Sequence, residues 1–427
     1  MPRLPGVEER TQVVCHVDVD CFYAACERLR DPTLVDEPVV VGMGFEPGES
    51  HGAVATASYE AREFGVESAM GIGDALEKLP RRTDADTDDP DAPNPDETGI
   101  YRPVDMSFYE SVSRAVKAVL ADAAETLRNV SVDEAYLDPG EISWDDAEAF
   151  GRRLKADIEE ETGVVASVGI APDMTTAKLA SDAEKPDGLV VVPPDRVEGF
   201  LAPMAVGELH GVGPVTASEL RSMGFETAGD IADADVAVLI DRFGERGRAL
   251  YRQARGEDNR EVEPRGRPKS LSSESAFVDA TDDPDEKRAK LRTLAEEVTQ
   301  RARGRGILYK TIGIKVVTPP YEVQTRERSL SGPVDDPDLV EAITQRLLEE
   351  FEDDPVRKLG VRVSNLSFDE RDQATFDDWN GVATTEASSA SDFPTDNQEP
   401  QRTGTDVLHG QTVLSDFVKF EPEDPRK

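Results

Sequence analysis

"HVDVDCFYAACE", residues 16–27, decides how the first part of the chain folds and what that fold carries. Asp18 and Asp20 alternate with Val17 and Val19. On a strand, that alternation sends both carboxylates to one face and both valines to the other. The residues after Cys21 read as a helix. A carboxylate is costly to bury unless it is paired or bound to a metal. The stretch therefore predicts a strand that delivers acid to a site.

Working outward, "TQVVCHVDV", "CFYAACERL", "PVVVGMG" and "AVATASYEAREFG" alternate strand-like and helix-like character up to residue 79. Residues 80–98, "PRRTDADTDDPDAPNPDET", are proline-broken and acidic, and read as a solvated insertion loop with no core face. Phe108, Val112, Val116 and Val119 recur at helical spacing. "NVSVDEAYLD" reads as strands around a turn. Ser143 with Asp146 resembles a capping box opening a helix that carries Phe150, Leu154 and Ile158. "GVVASVGIA" and "GLVVV" follow as strands. This order predicts an α+β sheet of antiparallel type with helices on one face.

Residues 193–258 read as helical and glycine-punctuated, and "RGRPKS" as part of a basic linker over 259–269. Residues 270–369 form a second α+β unit, with strands "SLSSESAFV", "YKTIGIKVV", "VQTRERSL" and "GVRVSNLSF". From 370 to 407 the chain has nine acidic and two basic residues amid Ser, Thr and Pro, and disorder is expected. It turns apolar again at "GQTVLSDFVKF".

Composition narrows the class. At 427 residues there is room for several domains, and no apolar run approaches membrane-spanning length. With no secretory pattern at the start, a cytoplasmic protein is expected. Cys15, Cys21 and Cys26 fit no zinc spacing and read as small buried hydrophobes. The 88 acidic residues against 48 basic, net charge −40, are spread along the whole chain. That distribution suits a cytoplasm at very high salt, where charges are screened over roughly 3 Å at 1 M. By default such a chain avoids nucleic acid, but short-range screening makes local patches matter more than the total.

With acidic residues this common, most carboxylate pairs are solvated faces. Asp18, Asp133 and Glu134 differ because they interrupt strands rich in Val, Ala and Tyr. In a regular strand Asp133 and Glu134 point to opposite faces, so both reach one site only at a hairpin turn. With Asp18 delivered from a neighbouring strand, three carboxylates would meet. Hard oxygen anions with few histidines suit Mg²⁺ rather than zinc.

Five ordered motifs carry a resemblance: "HVDVDCFYAACE", "AVATASYEAREFGV", "SVDEAYLD", "SVGIAPDMTTAKLASDAEKPDGL" and "LHGVGPVTASELRSMGF". Over residues 11–369 the chain resembles Y-family DNA polymerases of the DNA polymerase IV type, as found in a halophilic archaeon. The resemblance implies a right hand: a ferredoxin-like palm (1–21 and 99–192), small fingers (22–79), a helix-hairpin-helix thumb (193–258) and an α+β little finger (270–369). It implies low-fidelity translesion synthesis from primer-template DNA and deoxynucleoside triphosphates, without proofreading, by a monomer that needs no membrane.

The resemblance further implies that Asp18, Asp133 and Glu134, with the backbone carbonyl of Val19, hold two Mg²⁺ ions for phosphoryl transfer. Asp20 is not a family ligand and is left with local hydrogen bonding or capping of the next helix. Tyr23 corresponds to the steric gate that excludes a ribose 2′-hydroxyl. Thr56, Tyr59 and Arg62, three apart and read as one helical face, match the triphosphate grip, as does Lys185. Met43, with the small Ala53 and Ala69, stands where the family covers the nascent base pair, which implies room for damaged templates.

Outside the active site, Gly211 and Gly213 match the hairpin whose backbone N–H groups bind DNA phosphate. Residues 301–328 hold seven Lys or Arg and two Glu, a local reversal of sign expected for a DNA backbone, with Arg326 and Arg328 on one strand face. "QTVLSDFV", within residues 408–420, resembles a sliding-clamp box through Gln411, Leu414 and Phe417, with Val418 where a second aromatic is usual.

Two other readings remain open to the sequence. A nucleotidyl cyclase uses a similar palm, but needs neither thumb motif, basic last unit nor clamp box. A non-catalytic, clamp-recruited DNA-binding scaffold has no reason to keep three buried anions.

Overall fold

The computed structural model describes residues 12–85 and 92–368. They divide into two compact units. One takes the described residues to Val35 together with Asp105–Arg265, and the other takes Asp36–Val104 with the described residues from Gly266 onward.

The first unit is built on a five-stranded sheet in the order β5-β6-β1-β7-β8. Its strands are β1 (Val14–Val19), β5 (Thr126–Asn129), β6 (Glu134–Asp138), β7 (Ala166–Ala171) and β8 (Leu189–Val191). The opening stretch is thus the central strand. It pairs antiparallel with β6, where Asp18 faces Glu134, and with β7, where Asp18 faces Ser167.

Helices lie on both faces of this sheet, which corrects the one-face expectation. Helix Ala147–Thr162 lets Gly151 sit against Ile170 and Leu189 on one side. Helix Met174–Ala183 crosses the other side at Gly169, where an added Cβ would come within 2.0 Å of the Ala177 carbonyl. Only a residue without a side chain admits a helix backbone that close. A ten-residue helix of small residues, Ala177 and Ala180 among them, is easily missed as a sheet-covering element. It covers the face that bears Asp18.

Two local readings also shift. The buried stripe of helix Met106–Ala123 runs through Tyr109, Val112, Val116 and Leu120, so Phe108 and Val119 give way to Tyr109 and Leu120. Phe108 instead lies under the Arg30 guanidinium, 4.2 Å from its centre. Ser143 does not open a helix. Its hydroxyl donates to Asp146 at 2.6 Å, and the helix begins only at Ala147.

Helical residues from Val197 to Ala254 share one core with the outer face of the sheet, where Leu201, Leu220, Ile231, Leu239 and Leu250 meet Met174 and Tyr136. Val262 closes that core, so the start of the basic linker is packed. All three cysteines are buried, as expected, and burial pushes the Cys26 thiol up to about 12.

The second unit contains a three-stranded sheet, β3 (Val54–Ala57), β2 (Val39–Gly42) and β4 (Ile100–Arg102). It also contains a four-stranded antiparallel sheet, β11 (Glu322–Val334), β10 (Leu308–Thr318), β12 (Val356–Ser367) and β9 (Ser270–Thr281). Helices Pro284–Arg303 and Pro337–Leu348 bury Leu291, Leu294, Val298, Val340 and Ile343 against the latter.

The expectation that 80–98 offers nothing to a core is corrected at both ends. Arg81 and Thr98 are buried, and Arg81 donates to the carbonyls of Gly44 and Glu49. Composition hides this, because one arginine satisfying inward carbonyls outweighs the acids around it. The expected disordered tail, 370–407, and the box residues Gln411, Leu414 and Phe417 lie outside the described residues. Among the described residues, no helix is long and apolar enough to cross a membrane.

Candidate active site

The acidic end of β1 gathers most of the singled-out side chains of the first unit. Asp18 and Glu134 are direct cross-strand partners, and the Val19 N–H donates to the Asp133 carbonyl at 3.0 Å. Residues 130–133 form the turn between β5 and β6, with the N–H groups of Val130 and Ser131 donating to the Glu134 carbonyl. That turn is what lets Asp133 and Glu134 serve one site. The Ser131 hydroxyl donates to the Asp133 carboxylate and accepts the N–H of Glu134 at 3.1 Å.

Three residues that sequence reasoning passed over complete the cluster. Lys178 lies 2.9 Å from Glu134 and 3.7 Å from Asp18. The fully buried His16 has Nε2 3.3 Å from Glu134 and Nδ1 2.8 Å from Ser181 Oγ. Lys117 reaches the Ser131 carbonyl. A signal was available for His16, which shares the strand face of Asp18. Lys178 needed the helix crossing at Gly169, which no spacing reveals.

The electrostatics divide the carboxylates. Burial raises Asp133, the Asp18 charge adds to it, and the Ser131 hydrogen bond only partly opposes, leaving its carboxyl at about 6. Burial also works against Glu134, but His16, 3.3 Å away, and the Lys178 charge overcome it and hold Glu134 down at about 2. Lys185 extends from the turn after helix Met174–Ala183, with Nζ 2.7 Å from Asp18 and 2.9 Å from Asp182. Burial disfavours its charge, and Asp18 outweighs that, so its ammonium is held above the ordinary range.

Tyr23, in helix Phe22–Arg30, is buried and stacks on Tyr109 with ring centres 4.6 Å apart and planes 17° from parallel. The Tyr109 hydroxyl donates to Glu27 at 2.7 Å. Burial, and secondarily the Asp133 charge, pushes the Tyr23 phenol up. Asp20 does not cap this helix. Cys21 occupies the cap with φ of 45° and no side-chain hydrogen bond, while Asp20 is bonded elsewhere.

In the second unit, Thr56, Tyr59 and Arg62 do not share a helical face. Thr56 belongs to β3, opposite Val41, and the helix is Tyr59–Glu63. Ser58 caps it by accepting the Ala61 N–H, so spacing of three spans a strand-to-helix corner. Arg62 donates to the Ala57 carbonyl at 3.1 Å and lies 4.8 Å over the Tyr59 ring.

Gly211 has φ of +79°, a conformation that favours glycine, whereas Gly213 caps helix Pro214–Ser222 with an ordinary φ of −79°. An added Cβ at either meets nothing within 4 Å, so neither is required by internal crowding. Arg326 and Arg328 do share a strand face, as expected. It is the face of their partners Ile314 and Ile312, on the side the helices cover. Arg326 there pairs with Glu350 and lies 5.0 Å over Phe351. The arginine alternation held, but its charge has a partner the strand alone could not show.

Among the described residues, no three His, Cys, Asp or Glu side chains are drawn together tightly enough to enclose a metal ion. The donor chemistry nonetheless suits a hard divalent cation. The three carboxylates offer only oxygen donors, and Asp133 is disfavoured as an anion by burial and by Asp18, which an added positive charge would reverse.

Known proteins bear on this geometry. The "impB/mucB/samB family" model matches residues 17–182, that family's C-terminal domain matches 268–376, and a "DNA polymerase-iota, thumb domain" model matches 207–258. DNA polymerase IV of Halobacterium salinarum is 55% identical, covering 97% of this chain and 99% of that protein. DNA polymerase IV of Methanoculleus marisnigri is 39% identical, covering 86% and 98%. Among solved structures, the Y-family DNA polymerase chimera Dbh-Dpo4(243-245)-Dbh has a TM-score of 0.71 at 26% identity, covering 84% of this chain and 100% of its own. The insertion ternary complex of Dbh DNA polymerase has a TM-score of 0.58 at 25% identity, with the same coverage. On this similarity along nearly its full length, the chain belongs to the Y-family DNA polymerases of the DNA polymerase IV type and is a DNA-directed DNA polymerase.

Proposed function

We propose that translesion synthesis here proceeds at the acidic end of β1, with Asp18, the Val19 carbonyl, Asp133 and Glu134 as ligands of two Mg²⁺ ions. Membership of the family implies a divalent metal; its identity and number are the reading. The observation that carries it is the Asp18–Glu134 register pair beside Asp133, whose carboxyl burial and the Asp18 charge hold up at about 6. When bound, the ions supply activation of the primer 3′-hydroxyl and neutralise charge on the triphosphate.

The chain's own residues do the rest. Lys185 exchanges Asp18 for a triphosphate oxygen, and Arg62, Thr56 and Tyr59 serve in nucleotide binding. The Tyr23 ring, braced by Tyr109, blocks a 2′-hydroxyl and so selects deoxynucleotides. Backbone N–H groups at Gly211 and Gly213 receive a DNA phosphate. Arg326 and Arg328 take the DNA backbone, with Arg326 leaving Glu350 to do so. Gln411, Leu414 and Phe417 recruit a sliding clamp, and the enzyme acts as a cytoplasmic monomer on primer-template DNA.

The test is single-nucleotide incorporation on a primed template, titrated with Mg²⁺ in molar KCl. Dependence on Mg²⁺ that steepens above first order supports two ions. Incorporation unaffected by chelator would end the reading.

A further inference from the structure

Asp20, the second carboxylate of the opening stretch, is only 7% exposed and has no part in the chemistry above. A buried carboxylate needs strong partners, and these are specific. The Ser167 hydroxyl donates to its two oxygens at 2.9 and 3.1 Å, and the Asp187 N–H donates to Oδ2 at 2.8 Å. Ser167 Oγ also accepts the Gly188 N–H at 3.1 Å. Two successive N–H groups of one turn are therefore tied to the residue just past β1 and to β7.

That turn needs holding. Asp187 has φ of +59°, a left-handed conformation that costs a non-glycine residue roughly 1 kcal/mol. Lys155 braces it from the other side, donating to the Asp187 and Gly188 carbonyls and pairing with the Asp187 carboxylate at 2.7 Å. The turn presents Lys185, whose Nζ is 2.7 Å from Asp18. Asp18, near the end of β1, and Asp20, in the turn just past it, thus hold two parts of one short device. Asp18 holds the lysine's tip, and Asp20 holds the backbone at Asp187, two residues beyond it.

We propose that Asp20, acting through Ser167 and the 184–188 turn, is the positioning residue that aims Lys185 at the incoming nucleotide. The inference rests on Lys185 being a triphosphate ligand. Losing the anchor lets the turn relax from its left-handed geometry, and the ammonium loses its aim before any carboxylate ligand is disturbed. A misplacement of about 1 Å in such a group costs on the order of tenfold or more.

The experiment uses the full chain with a dideoxy-terminated primer-template, so that deoxynucleotide affinity is read without chemistry. Amide hydrogen exchange over residues 184–188 is measured on the same samples. Asp20→Ala and Ser167→Ala are expected to weaken nucleotide affinity about tenfold and to speed exchange in the turn. Asp20→Asn, which keeps one acceptor, should be intermediate. In a Lys185→Ala background, Asp20→Ala should add nothing further.

Unchanged exchange in both the Asp20 and Ser167 variants would overturn the inference. So would a full additional loss of affinity on top of Lys185→Ala. If Lys185→Ala alone leaves affinity intact while exchange still rises, the nucleotide role of Lys185 fails and only the anchoring of the turn stands. Should Asp20→Ala not fold, Ser167→Ala carries the test by itself.

Discussion

Lys178 sits between the two carboxylates that face each other across the central strands, 2.9 Å from Glu134 and 3.7 Å from Asp18. An ammonium in that position competes with any cation that needs the same oxygens. Replacing it with an uncharged chain of similar volume, Lys178→Met, should lower the Mg²⁺ concentration for half-maximal incorporation several-fold, about 1 kcal/mol for charges this close and partly solvated. An unchanged Mg²⁺ midpoint would show that Lys178 and the metal do not contend for these carboxylates.

Gly169 fixes the helix that carries Lys178. A Cβ there would meet the Ala177 carbonyl at 2.0 Å and the Ser181 nitrogen at 2.3 Å, both backbone atoms that cannot swing aside. Gly169→Ala should cost about 3 kcal/mol of stability or more. Denaturant unfolding against Gly151→Ala, whose clashes are with the movable ends of Leu189 and Ile170, should show the larger loss at 169.

Tyr23 is expected to guard sugar identity through its braced ring. Tyr23→Ala should raise the ratio of ribonucleotide to deoxynucleotide incorporation by at least about tenfold, while deoxynucleotide use persists. The same ratio in the variant would remove the gate assignment.

Lys117, at the edge of the acidic cluster, offers a pH test of burial. Burial lowers its ammonium to about 8 from the ordinary 10.5. Between those values the unfolded chain binds more protons than the folded one, so this lysine makes stability rise with pH across that window. Lys117→Met should flatten the slope of melting temperature between pH 8 and 10, and a slope identical to wild type would contradict the burial effect.

What the sequence made legible follows from how local each feature is. Period-2 alternation placed β1 and Asp18, though the strand ends at Val19 and leaves Asp20 in the following turn, and the turn between β5 and β6 followed from the need to bring Asp133 and Glu134 together. Corrections arose where a partner is distant in sequence. Ser58 ends a strand and starts a helix in one step, so Thr56 left the helical face assigned to it. Arg326 met Glu350 from another element, which strand alternation cannot foresee. Lys178 became part of the site only when the helix crossed at Gly169. Local hydrogen bonding is all the sequence suggests for Asp20, whereas its bonds reach Ser167 and Asp187, which are 147 and 167 residues away.

The most direct measurement is primer extension on a primed DNA template with Mg²⁺ and all four deoxynucleotides in molar KCl, wild type beside Asp133→Asn. Asparagine keeps the shape and the Ser131 contact but removes the charge that the metal reading requires. Extension by wild type with loss of at least about a thousandfold in the variant is the expected result. Equal extension by both, with the variant folded, would contradict the assignment of the chemistry to this acidic cluster.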